Sequence, residues 1–321
     1  MTLTINFVLF IISAAFLVLS GAYIIKSLSK ISKHLGITEF AATFILISIA
    51  TSFPELFVGI SSALTGQTAL ALGNILGANL IDLTLIMGIL ILLGKEIKTK
   101  NTQLRESPYL LAGIVALPLV LFFFGNMLSR TDGLLLLFVF FAYSYHLIKN
   151  SKKYAKVHKI DKKKLEGINI ISTTLIFVLS LAVLMVSAYF VIKYASLISI
   201  DLQLPQIFVG LFLISLSTTL PELAFGVRAV LSGHKSMSIG NQLGTIIVNS
   251  TLILGIIALI NPITADIFLF FTAGIFLLFS AFLFVYFVTS KEKLSSTEGI
   301  TLILIYVLFV IVQFYLGGTM I

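Results

Sequence analysis

Cysteine and tryptophan are absent from this chain of 321 residues, and only six prolines interrupt it. Without cysteine there is no disulfide, thiolate metal centre or thiol nucleophile, and the redox compartment leaves no mark. Charge is scarce as well: Asp, Glu, Lys and Arg make up 11% of the residues, against about 25% in a soluble domain. The acidic side chains number 13 against 21 basic ones. A net charge of +8 suggests nucleic acid at first sight. The basic residues, however, sit in short stretches between apolar runs, which is the pattern of a membrane-topology signal and not of a nucleic-acid face. None of the four histidines falls deep in an apolar run: His34 and His234 lie at run ends, His146 near one, and His158 in a basic stretch. A histidine-based zinc site, a Ser–His pair and a His-Glu-x-x-His motif are thereby excluded at membrane depth, and a single deep aspartate excludes an aspartyl dyad. The chain is not expected to be an enzyme. Residues 1–10 carry no charged side chain, so this segment reads as a retained span; a secretory leader would begin with a basic region.

Apolar residues dominate what is there, at 59%. A helix needs about 20 apolar residues to cross a bilayer. Ten runs approach that length: 4–25, 37–64, 68–93, 107–125, 131–149, 168–194, 205–232, 236–260, 265–289 and 298–317. Helices satisfy their own backbone groups and are the default spanning element. With the N-terminus outside, the inner loops hold 18 of the 21 basic residues, including Lys95, Lys98, Lys100 and Arg105, and the eight lysines from Lys149 to Lys164. Arg130 and Lys193 fall outside, and Arg228 lies near an inner end where it can snorkel. Both termini are therefore expected outside.

Residues 46–89 match 213–256 without a gap at an offset of 167, with 19 of 44 positions identical. The matches include Pro54/Pro221, Glu55/Glu222, Gly73/Gly240, Asn74/Asn241 and Gly77/Gly244. An offset of five spans is odd, so the second half enters the membrane upside down. The expected fold is an all-α polytopic membrane protein of ten transmembrane helices in two inverted five-helix repeats. Residues 1–149 form the first repeat, 150–166 a basic cytoplasmic linker, and 167–321 the second repeat. Inverted repeats are a transporter architecture, with the substrate near the midplane between them. A channel would sooner build its pore from subunit symmetry.

Only three of the 13 acids lie deep in apolar runs: Glu55, Asp82 and Glu222. Each costs at least about 2.5–3.5 kcal/mol at the bilayer centre, and no Lys or Arg lies at matching depth. They must carry protons, bind cations or face water. Pro54 and Pro221 each lack the N–H that would bond the carbonyl four residues back, on Ala50 and Ser217. The break also loosens the neighbouring carbonyls of Thr51 and Thr218. Each segment thus offers backbone oxygen, hydroxyl and carboxylate together. Hard oxygens suit Na⁺, Ca²⁺ or Mg²⁺ and disfavour Zn or Cu, and Ca²⁺ dehydrates more readily than Mg²⁺. Two glutamates neutralise one Ca²⁺ or two Na⁺, so one pocket can take either load in turn. On the next helix of each repeat, Asn74, Ala78 and Asp82 share one helical face, as do Asn241, Thr245 and Asn249.

These segments resemble the cation/calcium exchanger superfamily, and most of all its sodium/calcium exchanger branch in prokaryotic form. Thr51-Ser52-Phe53-Pro54-Glu55, Thr218-Thr219-Leu220-Pro221-Glu222 and the Gly-Asn-x-x-Gly stretches at 73–77 and 240–244 carry the likeness. The resemblance implies eight core helices across which spans one and six slide to alternate access. It implies that Glu55 and Glu222, with the carbonyls of Thr51 and Thr218, bind Ca²⁺. It further implies flanking Na⁺ sites completed by the Ser52 and Thr219 hydroxyls, the Ser48 and Ser215 carbonyls and the positions of Ala78 and Thr245, with Asp82 and Asn249 at the central polar position. The family usually has Ser where this chain has Ala78, so one Na⁺ site loses a hydroxyl. The expected function is Na⁺/Ca²⁺ antiport across the plasma membrane. The alternative is H⁺/Ca²⁺ antiport with Asp82 as proton carrier, although the Gly-Asn-x-x-Glu of the proton-coupled branch is missing. The expected partners are Ca²⁺, Na⁺ and the lipid bilayer. Neither cofactor nor nucleic acid is expected, and a monomer is.

Overall fold

The computed structural model describes residues 3–34, 47–98, 108–151, 170–290 and 293–318. The basic linker expected at 150–166 lies, from residue 152 onward, outside the described residues, as does the start of the run 37–64. The first half comprises α1 (Leu3–His34), a helical turn at 47–51, α2 (Phe53–Leu64), α3 (Thr68–Leu80), α4 (Met87–Gly94), α5 (Pro108–Gly125) and α6 (Arg130–Ser151). The second half comprises α7 (Ile170–Asp201), α8 (Gln206–Val209), α9 (Ser215–Thr218), α10 (Leu220–Leu231), α11 (Lys235–Ile247), α12 (Leu254–Ile260), α13 (Ile267–Ser290) and α14 (Ser296–Gly318). Among the described residues six helices are long and apolar enough to cross a membrane. There are seven if the pair Gln206–Thr218 and Leu220–Leu231, bent by 41°, counts as one span.

Where helices are broken, the sequence explains the break. Pro54 and Pro221 each stand in the first turn of a new helix, where their missing N–H costs nothing. The chain then turns at Gly66 and Gly233, whose φ angles of +74° and +83° suit glycine. Three wide π-helical segments were not foreseen from the sequence. They join α3 to α4 (Ile81–Ile86), α8 to α9 (Gly210–Ile214) and α11 to α12 (Val248–Ile253). A hydroxyl turned back onto a carbonyl four residues earlier marks each: Thr84 on Leu80, Ser215 on Leu211 at 2.5 Å and Thr251 on Ile247 at 2.5 Å. Such a hydroxyl satisfies a carbonyl whose usual amide partner has shifted one residue on.

Small residues let the helices meet backbone to backbone, which is what drives association in lipid. A Cβ on Gly73 or Gly77 would strike the carbonyls of Ile207 at 2.2 Å or Leu211 at 2.3 Å, so α3 lies against the α8–α9 run with no room to spare. The contacts between halves are reciprocal. Gly59 of α2 abuts Ile257 of α12, and Gly226 of α10 abuts Leu90 of α4. Gly133 of α6 faces Gly255 of α12, and Gly299 of α14 faces Gly88 of α4. The long helices α1 and α7 pack along each other outside this body. Gly21 of α1 rests on both proline rings, where a Cβ would stand 3.3 Å from each.

The connections gather at two ends. At one, Leu128 and Ile263 exchange backbone hydrogen bonds of 3.0 and 2.9 Å, and the Asn261 amide donates to the Ala63 carbonyl at 3.1 Å. At the other, strand β1 (Glu96–Lys98) pairs antiparallel with β2 (Lys293–Ser295), Glu96 opposite Ser295. There Lys235 donates to the carbonyls of Gly94 at 2.7 Å and Glu96 at 3.1 Å, and Lys293 pairs with Glu96 at 3.2 Å.

Candidate cation-binding site

The two proline breaks and the two π-helical joints carrying Asp82 and Asn249 supply one polar interior. Glu55, Asp82, Glu222 and Asn249 are all fully buried. No carboxyl oxygen of the three acids, and neither amide atom of Asn249, has a hydrogen-bond partner. The helix that carries Glu222 in its first turn packs on the joint that carries Asp82, and the helix of Glu55 packs on the joint that carries Asn249, so these residues fall in one region. An ionised carboxylate buried without counter-charge or hydrogen bond is prohibitive. This interior is balanced only when it holds cations or protons. Among the described residues no three acidic or histidine side chains converge as a metal cluster. A cation held here must take most of its ligands from backbone carbonyls, hydroxyls and amides.

Those neutral oxygens are close by. The Thr51 hydroxyl donates to the Ser48 carbonyl at 3.1 Å and meets the Thr245 hydroxyl at 3.2 Å. The Thr218 hydroxyl, at the matching position, reaches the Asn74 side-chain oxygen at 3.0 Å and the Ser215 carbonyl at 3.2 Å. Ser52 is buried with its hydroxyl free of partners, whereas the Thr219 hydroxyl donates to the Ser215 carbonyl at 2.9 Å. The carbonyls of Ser48 and Ser215, expected as Na⁺ ligands, already accept donors of their own helix: Ser52 N–H on one, Thr219 N–H on the other, besides the hydroxyls named. A carbonyl has two lone pairs, so a cation entering here must turn those hydroxyls away and gain their oxygens as ligands. Ala78 is fully buried and offers only its methyl.

The family model described as sodium/calcium exchanger protein matches residues 5–149 and 172–315. The chain belongs to the sodium/calcium exchanger family. This exchanger is an integral membrane transporter, and its family is one of exchangers and not of catalysts. The sodium/calcium exchanger MaX1 of Methanosarcina acetivorans is 29% identical to it over 98% of this chain and 100% of its own. The inner membrane protein YrbG of Escherichia coli is 27% identical over 79% of each chain. Among solved structures, the sodium-calcium exchanger NCX_Mj superposes with a TM-score of 0.68 at 19% identity, over 96% of this chain and 98% of that one. The H⁺/Ca²⁺ exchanger CAX superposes with a TM-score of 0.81 at 14% identity, over 98% and 85%. At such identities the likeness speaks for the fold.

Asn74, Asn241 and Gln242 join the exchanger's polar interior in roles that motif reading did not assign. Asn74 takes up the Thr218 hydroxyl, and the Asn241 side-chain oxygen accepts from Ser48 at 3.4 Å. Gln242 donates to the Glu222 carbonyl at 3.5 Å and keeps a buried oxygen without a donor. The signal was present in Asn74 and Asn241, which pure helix packing does not call for. Gln242 stands opposite Ile75 in the repeat and carried no such signal.

Proposed function

We propose that this exchanger is a secondary active antiporter that moves Na⁺ one way and Ca²⁺ the other by alternating access, with both cations competing for the pocket between Glu55 and Glu222. The observation that carries the reading is this pair. The two buried glutamates stand at matched positions behind Pro54 and Pro221, and all four of their carboxyl oxygens lack a partner. Two carboxylates balance one Ca²⁺ or two Na⁺, which makes the loads mutually exclusive and the transport an exchange. The names of the relatives, MaX1 and NCX_Mj among them, point the same way.

The proposal includes ten transmembrane helices in two inverted five-helix repeats, with residues 1–149 and 167–321 as the repeats. The reciprocal contacts between halves and the sorting of connections to two ends support it. So does the fall of the two matched ranges on either side of the linker. Residence in the plasma membrane is part of the proposal, and the placement of both termini outside rests on the loop charges. The monomer stands as proposed.

A second reading, H⁺/Ca²⁺ antiport with Asp82 as proton carrier, draws on the burial of Asp82 without a partner and on the overlay with CAX. Radiolabelled Ca²⁺ uptake into proteoliposomes separates the two. Vesicles loaded with Na⁺ and diluted into Na⁺-free medium should accumulate Ca²⁺, and vesicles holding only a pH gradient should not. The reverse result transfers the assignment to proton coupling.

A further inference from the structure

The lipid-facing seam between α1 and α7 holds one hollow, and a second lies beside it between α7 and the α2–α3 turn. The larger, about 530 Å³, is lined by Ile12 and Phe16 of α1 and by Ala182, Val186, Phe190 and Tyr194 of α7. The smaller, about 230 Å³, is lined by Thr65 and Gln67 from the α2–α3 turn and by Ile192, Lys193, Ser196 and Leu197 of α7. Lys193 stands between them. Its ammonium lies 6.0 and 5.9 Å from the rings of Phe190 and Tyr194, which wall the larger hollow, while its own side chain lines the smaller one. Among the described residues Lys193 touches these rings and no carboxylate.

The depth fits a headgroup boundary. Helix α7 has 32 residues, about 48 Å at 1.5 Å each, against a hydrocarbon core of about 30 Å. Centred in the bilayer, it meets the boundary about six residues before Asp201, within one turn of Lys193. An apolar groove below that boundary, an unpaired ammonium at it, and the side chains of Gln67 and Ser196 in the hollow that Lys193 lines match the parts of a phospholipid in order. In the smaller hollow the Gln67 side-chain oxygen is buried with no donor, which favours a headgroup that carries an ammonium or hydroxyl.

We propose that the α1–α7 seam is a specific glycerophospholipid site, with an acyl chain along the apolar hollow and the phosphate on Lys193. The lipid would contact α1, α7 and the α2–α3 turn. This does not depend on which cations are carried, so its test stands apart from the transport assay.

The test is native mass spectrometry of the purified, delipidated full-length protein with dioleoyl phosphatidylethanolamine, alongside dioleoylglycerol and inorganic phosphate. Phosphatidylethanolamine should bind roughly tenfold tighter than dioleoylglycerol, a step of about 1.4 kcal/mol, and phosphate alone should not be retained. Lys193→Gln should fall to the dioleoylglycerol level, and Ala182→Phe, which fills the groove, should lose lipid altogether. Lys193→Arg should bind as the parent does. Equal binding of the lipid with and without phosphate, unchanged binding by Lys193→Gln, or a dimer that excludes lipid from the seam would each overturn the proposal.

Discussion

Thr51 of the first half meets Thr245 of the second hydroxyl to hydroxyl at 3.2 Å. The matching Thr218 has Ala78 at the repeat position of Thr245, and it donates instead to the Asn74 side-chain oxygen at 3.0 Å. The same asymmetry recurs nearby. Ser52 keeps a free hydroxyl where Thr219 is bonded to its own helix, and Asp82 stands where the other half has Asn249. One half of the pocket holds the extra acid and the other the extra hydroxyl. The backbone around them is nearly duplicated: both halves have a proline in the first turn of a helix, a glycine turn and a threonine-marked π-helical joint. The duplicated backbone fixes where ligands sit, and the unlike side chains set which cation each end of the pocket prefers.

The comparison can be broken or sharpened by substitution. The largest effect belongs to the shared pair. Glu55→Gln and Glu222→Gln should each cut Na⁺-driven Ca²⁺ uptake by roughly a hundredfold or more, in keeping with about 3–5 kcal/mol for removing one partner of a buried charge interaction. Both variants should stay folded by thermal melt. If one of them exchanged normally, the two halves would not contribute equally to the pocket. The next effect tests whether the acid must lie on one particular side. Asp82→Asn should slow uptake about tenfold, or 1.4 kcal/mol, and adding Asn249→Asp to it should recover most of that loss. A double variant as slow as the single would mean that the position of the acid matters as well as its charge.

A smaller shift should follow from hydroxyls. Ala78→Ser gives Thr218 the partner that Thr51 already has and should lower the half-saturating Na⁺ concentration several-fold, as expected for one hydrogen bond of about 1 kcal/mol. Thr245→Ala should raise it by a similar factor. Opposite signs in uptake titrations support the account, and no response to either would detach Na⁺ from these positions. The smallest effect lies far from the pocket. Ser129 N–H donates to Asp132 at 2.8 Å at the start of α6, and Ser295 N–H donates to Glu298 at 2.8 Å at the start of α14. Asp132→Asn or Glu298→Gln should each cost about 0.5–2 kcal/mol of stability and leave uptake per folded molecule unchanged.

Much of this was legible in the residues. The run 131–149 is helix Arg130–Ser151, the run 265–289 is Ile267–Ser290, and the Pro-Glu pairs stand at two buried helix starts. Hydropathy period and proline chemistry are local, so they survive translation into structure. The π-helical joints were not legible, because a threonine turned back on its own helix looks like any buried threonine until the ladder around it is seen. The strand pair β1–β2 joins segments nearly 200 residues apart, which no local pattern reports. The capping boxes escaped for a simpler reason. Ser129/Ser295 and Asp132/Glu298 are offset by 166 and not 167, so an ungapped comparison at 167 sets the fifth helices one residue out of register. Nor could spacing alone reveal that Gly133 and Gly299 interlock with Gly255 and Gly88 of the opposite half. Of the pocket, the acids and hydroxyls were legible. The exchange of partners at Thr218 was not, since it depends on what Ala78 fails to offer.

The most direct measurement of the shared pocket is calorimetric titration of Ca²⁺ into the purified exchanger at increasing Na⁺ concentrations, with Glu55→Gln and Glu222→Gln alongside. One pocket pinned by both glutamates predicts that the apparent Ca²⁺ affinity falls steadily as Na⁺ rises, and that neither variant binds Ca²⁺ measurably. Ca²⁺ binding indifferent to Na⁺, or retained in full by either variant, would contradict it.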